Sequence, residues 1–277
     1  MIYHITTQPE WDAAQAAGTY LPANFQADGF IHCSDLFQVE GVANRFYKET
    51  PALILLQIDQ DKVPAPLVYE NLEGGDMPFP HLYGPLPTSA VVAVHPILSE
   101  DGSGLRLPQI LRVPKPMLFS EFPFGLPGRV YRSTMPFSQE FDPDQKVFSR
   151  YQAADLHTVV VLNPADELER YSGRDLLAQY RAAGFNVIHA PTADFSAPPK
   201  GHWDSILQTV ENLARSGENL VIHCHAGVGR TGIFAACMAQ DVLGLSADEA
   251  INWVRQSIPF AVETAYQQQF VRAYRAQ

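Results

Sequence analysis

What this 277-residue chain lacks narrows the field before any motif is read. Apolar residues make up 46% of it, yet no run approaches the ~18 consecutive apolar residues of a membrane-spanning helix. The first residues, Met1-Ile2-Tyr3-His4, read as a strand, with neither a basic start nor the apolar core of a signal peptide. Three cysteines are too few for a disulfide framework, so the expected compartment is the reducing cytoplasm. Cations are scarce: 19 Lys and Arg stand against 30 Asp and Glu, a net charge of −11. That balance disfavours nonspecific nucleic-acid binding, which relies on many Lys and Arg. Arg45 is the only arginine before residue 100, and most of the acidic excess lies before residue 110. Internal repeats and low-complexity tracts are absent as well.

One segment is rich where the rest is sparse. Leu220-Val221-Ile222-His223-Cys224-His225-Ala226-Gly227-Val228-Gly229-Arg230-Thr231-Gly232 runs from an apolar strand through a small-residue loop into a helix. Five residues separate Cys224 from Arg230, so one tight turn can set the sulfur and the guanidinium around a single anion. Backbone N–H groups in such a turn point inward, and the following helix presents the positive end of its dipole. That field favours a thiolate. A phosphate there would meet N–H donors, a bidentate Arg230 and an in-line nucleophile. A buried, inert cysteine on a strand end explains neither the glycines nor the arginine; that reading suits Cys237, in the apolar run Ile233–Met238.

A phosphocysteine intermediate needs a proton donor for the leaving oxygen, usually a carboxylic acid on a mobile loop. Upstream, Asn186–Ala190 reads as a strand ending at Pro191, and the loop after it carries Asp194 before Pro198-Pro199. Asp194 is the candidate, with a solvated or capping aspartate as the alternative; Asp204 falls inside the next helical pattern.

The loop string resembles the signature of the protein-tyrosine and dual-specificity phosphatases, His-Cys, five residues, Arg, then Ser or Thr. It does so at His223, Cys224, Ala226, Gly227, Gly229, Arg230, Thr231 and Gly232. The resemblance implies that Cys224 attacks phosphorus, Arg230 holds the equatorial oxygens and Thr231 assists thiolate departure. His225, Ala226, Gly227, Val228 and Gly229 would bind substrate, with His223 in support. Asp194 matches the family's Asp-x-x-x-Pro acid loop. Ala261–Phe270 resembles the stretch that enters the last helix with Ile-Glu-Thr and presents a Gln; on that likeness Gln267 lies near the attacking water, or else on a polar helix face. The loop and arginine supply the positive field themselves, so no metal or cofactor is expected. The resemblance also bears on substrate: the lipid phosphatases of the superfamily often carry lysines in this loop, which this one lacks. A phosphoprotein is the default, with a small phosphorylated metabolite or nucleotide, ADP-ribose-related compounds included, as the competitor. A phospholigand-binding module of weak turnover is the non-enzymatic alternative.

The length suggests two domains at roughly 100–200 residues each. Turn-rich Ser99–Gly104 and Val113-Pro114-Lys115-Pro116 mark a break, giving domains 1–110 and 111–277. After it come strands at Val130–Arg132, Thr158–Leu162, Asn186–Ala190 and Leu220–His223, helices at Arg174–Ala183 and Trp203–Arg215, and three closing helices. That alternation predicts an α/β fold, a central sheet flanked by helices. The first domain reads as α+β, with helices near Pro9–Ala17 and Gln38–Tyr47 and strands at Leu53–Ile58, Leu67–Glu70 and Val91–Val94.

Three strings stand out in that first domain: Tyr3-His4-Ile5-Thr6, Gly29-Phe30-Ile31-His32-Cys33-Ser34 and His81-Leu82-Tyr83-Gly84-Pro85-Leu86. They resemble the domain of unknown function 952 family, which is distantly similar to the ADP-ribosyltransferase-like fold. The resemblance implies a cleft for a nucleotide-like ligand faced by His4, His32 and Glu70. Against it stand a satisfied core histidine at each His and a strand-end charge at Glu70. His4, His32, Cys33 and His81 match no zinc spacing.

Overall fold

The computed structural model describes residues 1–72, 78–100, 104–108, 111 and 116–275. The chain divides into two compact units, Met1–Arg112 and Val113–Gln277. Residues 113–115 of the expected break lie outside the described residues, as do 101–103.

The first unit runs β1 (Ile2–Thr7), α1 (Gln8–Ala17), β2 (Thr19–Tyr20), α2 (Phe25–Asp28), β3 (Ile31–His32), α3 (Val39–Phe46), β4 (Leu53–Ile58), β5 (Leu67–Glu70), β6 (Phe79–Leu82), β7 (Leu86–Pro87), β8 (Val91–Pro96), β9 (Leu98–Glu100) and β10 (Gly104–Arg106). Three antiparallel ribbons carry it, ordered β1-β4-β8, β3-β6-β5 and β2-β7. The alternation along β1 and β4 is two-sided. Ile2, Ile54, Leu56 and Ile58 enter one apolar cluster, and Tyr3, Ile5, Leu53 and Leu55 enter another. α1 starts on a capping box between Thr7 and Glu10 and stops at Gly18 in the left-handed conformation. Of the turn-rich Ser99–Gly104, the described Ser99, Glu100 and Gly104 take part in antiparallel pairing of β9 with β10 inside this unit.

The second unit runs β11 (Phe119–Phe122), β12 (Val130–Ser133), α4 (Val147–Ala153), β13 (Thr158–Val161), α5 (Ala165–Ser172), α6 (Leu176–Ala182), β14 (Asn186–His189), α7 (Asp204–Arg215), β15 (Leu220–His223), α8 (Gly229–Leu243), α9 (Ala247–Ser257) and α10 (Ala265–Tyr274). Its sheet is ordered β11-β12-β15-β13-β14, parallel except for β11. β15 is central and buried on both faces: Leu220 and Ile222 join one core, Val221 the other. β13 behaves the same way, with Val160 facing one core and Val159 and Val161 the other. Helices on both faces complete an α/β sandwich.

This layering fixes the loop 224–228 at both ends. The loop leaves the C-terminal end of the central strand, the place where open parallel sheets bind ligands. It feeds α8, a helix buried all round from Gly229 to Gln240, which anchors the loop's far end in the core. The pattern reading passed over β11, α4 and α5.

Candidate active site

Loop 224–228 brings Cys224 and Arg230 together as the spacing implies. Cys224 is 3% exposed and accepts a hydrogen bond from Thr231 Oγ1 at 3.2 Å. Thr231 sits in the first turn of α8, so the helix N-terminus and this hydroxyl address the same sulfur. Among the described residues, the N–H groups of Ala226, Gly227 and Val228 have no acceptor. Gly227 has φ +68°, and a Cβ there would overlap Ser133 O, so only glycine lets the turn close. Gly229 is constrained differently: a Cβ would collide with the Glu263 carboxylate.

Arg230 is 1% exposed and tightly held. Its Nη1 donates to Glu167 Oε2 at 2.8 Å and to Thr192 O at 3.0 Å. Nη2 lies 3.0 Å from Asp194 Oδ1, an ion pair without hydrogen-bond alignment. Nε has no partner among the described residues. Burial opposes the charge, and Cys224, Asp194 and Glu167 outweigh it, so the pKa is raised above its ordinary value. Buried guanidinium donors without a partner are costly unless an acceptor meets them.

Asp194 is 38% exposed at its side chain and abuts that guanidinium from a loop strained at Phe195, φ +55°. Asp204, by contrast, opens α7. The segment before α10 braces the Asp194 loop: Thr264 Oγ1 donates to Phe195 O at 3.4 Å and Gln267 Nε2 to Ser196 O at 3.3 Å. Gln267 Oε1 accepts from Glu263 N at 2.7 Å. Both ends of the Gln267 amide are thus engaged.

The two loop histidines are engaged by aromatic and hydroxyl neighbours. His223 is fully buried with Nε2 2.9 Å from Tyr180 Oη, and burial pushes it down to about 3. His225 stacks on Tyr171, centroids 4.0 Å apart at 12°, with Nε2 3.1 Å from Ser138 Oγ; burial pushes it down to about 4. Both imidazoles are thus occupied by neighbouring residues and held neutral by burial. Glu167, which accepts from Arg230, and Arg132, which donates to the Gly227 carbonyl, are neighbours of this loop that the sequence reading missed.

The expected cleft of the first unit is also redrawn. His4 is a core histidine: Nδ1 meets His32 O at 2.6 Å and Nε2 meets Tyr20 Oη at 2.9 Å, and burial pushes it down to about 4. Strand parity is the reason, since His4 shares its face of β1 with Ile2 and Thr6. Ile5, on the other face, borders a cavity of about 640 Å³, lined also by Asn24, His32, Arg45, Phe46 and His81. Glu70 lies outside that lining and accepts from Tyr83 Oη and pairs with His81 Nδ1 at 3.3 Å. His32 alone of the three is placed in the cavity. Among the described residues, no cluster of three or more His, Cys, Asp or Glu could hold a metal ion, and no helix is long and apolar enough to cross a membrane.

Comparison with known proteins gives one family match within each of the two units. Residues 5–94 match the family described as a protein of unknown function, DUF952, and residues 135–241 match the family described as a polymorphic toxin system DSP-PTPase phosphatase. Protein tyrosine phosphatase domain-containing protein 1 of Danio rerio is 38% identical over 65 residues, 24% of this chain and 9% of that protein. Cyclin-dependent kinase inhibitor 3 of Rattus norvegicus is 25% identical over 135 residues, 47% of this chain and 63% of that protein. The chain thus spans less than two thirds of these curated relatives. The solved structure of kinase associated phosphatase, carrying serine for its catalytic cysteine, shares the fold. Its TM-score is 0.53 at 20% identity, over 58% of this chain and 95% of that one.

Proposed function

We propose that this chain, which joins a DUF952 segment to a DSP-PTPase phosphatase segment, is a cysteine-dependent phosphomonoester hydrolase. One observation carries the reading: among the described residues, the loop N–H groups of Ala226, Gly227 and Val228 and the Arg230 Nε have no acceptor, and they belong to the same short segment as Cys224, which interacts electrostatically with Arg230. The phosphoryl group enters between them, its oxygens taking the N–H donors and Arg230. Cys224 Sγ attacks phosphorus in line as the P–O bond to the leaving group breaks, and Asp194 gives its proton to that departing oxygen. In the second step water attacks the phosphocysteine, Asp194 accepts the water's proton, and the Thr231 hydroxyl stabilises the returning thiolate. Glu167 and the Thr192 carbonyl keep the guanidinium plane in place throughout.

A phosphoprotein is the substrate class this reading favours. The loop interior carries no lysine to hold a polyanionic head group, and the catalysis asks nothing of the substrate beyond its phosphoryl group. The test is a panel of phosphopeptides, nucleotides and sugar phosphates ranked by kcat/KM, with acid quenching to trap labelled phosphate on Cys224. No trapped phosphate and no hydrolysis would leave a phospholigand-binding module instead.

The cavity of the first unit favours a second, separate activity there: binding a nucleotide-like ligand, as the ADP-ribosyltransferase-like resemblance implies. It is large enough for one. Calorimetric titration of the full chain with ADP-ribose and NAD checks it, and the absence of heat with both refutes it. The cytoplasm is the expected setting for both activities.

A further inference from the structure

Behind the anion loop lies a second buried guanidinium. Arg132 projects from β12 beside Ile222 of β15 and is 1% exposed. Its Nη2 donates to Gly227 O at 2.7 Å and to Ala226 O at 3.1 Å, and its Nε to Gly227 O at 3.2 Å. Nη1 donates to Met117 O. Burial pushes the group down to about 10, which leaves it cationic at neutral pH, with Cys224 opposing the shift.

A trans peptide holds its C=O and the next N–H on opposite sides of the chain. Drawing the Ala226 carbonyl back toward β12 therefore turns the Gly227 N–H the other way. Drawing back the Gly227 carbonyl does the same for the Val228 N–H. These are two of the N–H groups left without an acceptor. The planar fork suits the task, because one guanidinium meets two neighbouring carbonyls at once where a lysine ammonium offers only a point charge.

We infer that Arg132 is a positioning residue for anion binding, fixing from behind the two peptide planes whose N–H groups receive the phosphoryl oxygens. The inference rests on the phosphatase reading above. If Arg132 merely tied the Met117 segment to the sheet, its loss would lower stability and leave anion affinity alone.

The full chain with Arg132→Lys or Arg132→Met separates these. The measurements are thermal midpoint, kcat and KM on an aryl and an alkyl phosphate, and the inhibition constant for inorganic phosphate. In folded Arg132→Met, phosphate inhibition should weaken roughly 10-fold or more, by analogy with losing preorganised donors. kcat should fall by one common factor on both esters, since Asp194 is untouched, and Arg132→Lys should lie between Met and the parent. A folded variant with parental phosphate affinity and kcat overturns the inference while an active parent keeps the phosphatase reading. Should the variants not fold, the parent decides by amide NMR. Its Gly227 and Val228 resonances should move together on titration with inorganic phosphate, and unmoved resonances at inhibitory phosphate overturn the inference. A parent that neither binds phosphate nor hydrolyses any ester overturns the phosphatase reading and this inference with it.

Discussion

The tripeptide Ile-His-Cys occurs twice, at Ile31-His32-Cys33 and at Ile222-His223-Cys224, each time at the end of a strand. The two copies have opposite surroundings. His32 is 47% exposed at its side chain beside Asp28, whereas His223 is sealed against Tyr180. Cys33 is buried, and both desolvation and nearby Asp35 push its thiol far up. Cys224 has instead a donor hydroxyl on its sulfur, a helix N-terminus ahead of it and two guanidinium groups close by. Local sequence places a thiol at a strand end; the next six residues and the packed neighbours decide whether it can carry charge.

The sharpest way to break the comparison is to exchange the sulfur in each copy. Cys224→Ser should remove turnover on an aryl phosphate by a factor on the order of 10³ or more. Cys33→Ser should leave kcat/KM within about twofold, because burial and Asp35 push the Cys33 thiol far up. Equal losses in the two variants would make the contrast between the sites illusory.

Next in size is the cation that only one copy faces. Arg230→Lys keeps the charge and loses the planar fork, and a loss on the order of 10²-fold in kcat/KM is expected. A parental rate would place Arg230 outside the reaction.

Asp194→Asn gives a smaller, selective effect. Turnover should fall far more on an alkyl phosphate than on an aryl one, since only the poor leaving group needs the proton. The same change removes a carboxylate 3.0 Å from Arg230, so inorganic phosphate should inhibit the variant at lower concentration than the parent. Uniform loss on both esters with unchanged inhibition would assign Asp194 a structural role.

The smallest expected effect concerns protons. His223, His225 and His4 are held neutral, at about 3, 4 and 4, below the ordinary 6.5. Between those values the unfolded chain binds more protons than the folded one, so their contribution is present above about 6.5 and lost as the pH falls toward 4. The thermal midpoint should therefore decline steadily across that interval. His225→Gln can still reach Ser138 but carries no proton, and it should make the decline shallower. An identical slope in parent and variant would count against this account.

How much of the molecule was legible depends on where the determinants lie along the chain. The loop stands out in the sequence because Cys224, the small residues and Arg230 fall within one turn and are therefore contiguous. β13 and β15 could be read because strands covered on both faces are short, largely apolar runs. Arg132 and Glu167 could not, since they act on residues 95 and 63 positions away and look like ordinary charges on a strand and a polar helix. α5 was missed because it is mostly polar, with Leu168 and Glu167 its only buried residues. β11 was missed because its strand pairs antiparallel at the sheet edge, outside the repeating βα pattern. His4 was misplaced because a strand in a two-sided core offers two inward faces, and sequence alone does not tell which one borders a cavity.

The grip of Glu167 and the Thr192 carbonyl on Arg230 bears on affinity as well as rate. A free arginine side chain carries about 2 kcal/mol of rotamer entropy, which a ligand must ordinarily overcome when it immobilises the group. Here that freedom is surrendered during folding, when Nη1 is locked on two acceptors and Nε is left unpaired for use. On the proposed phosphatase reading, an arriving phosphoryl group would find its arginine already still, and the attraction between them would go undiluted into holding the ester.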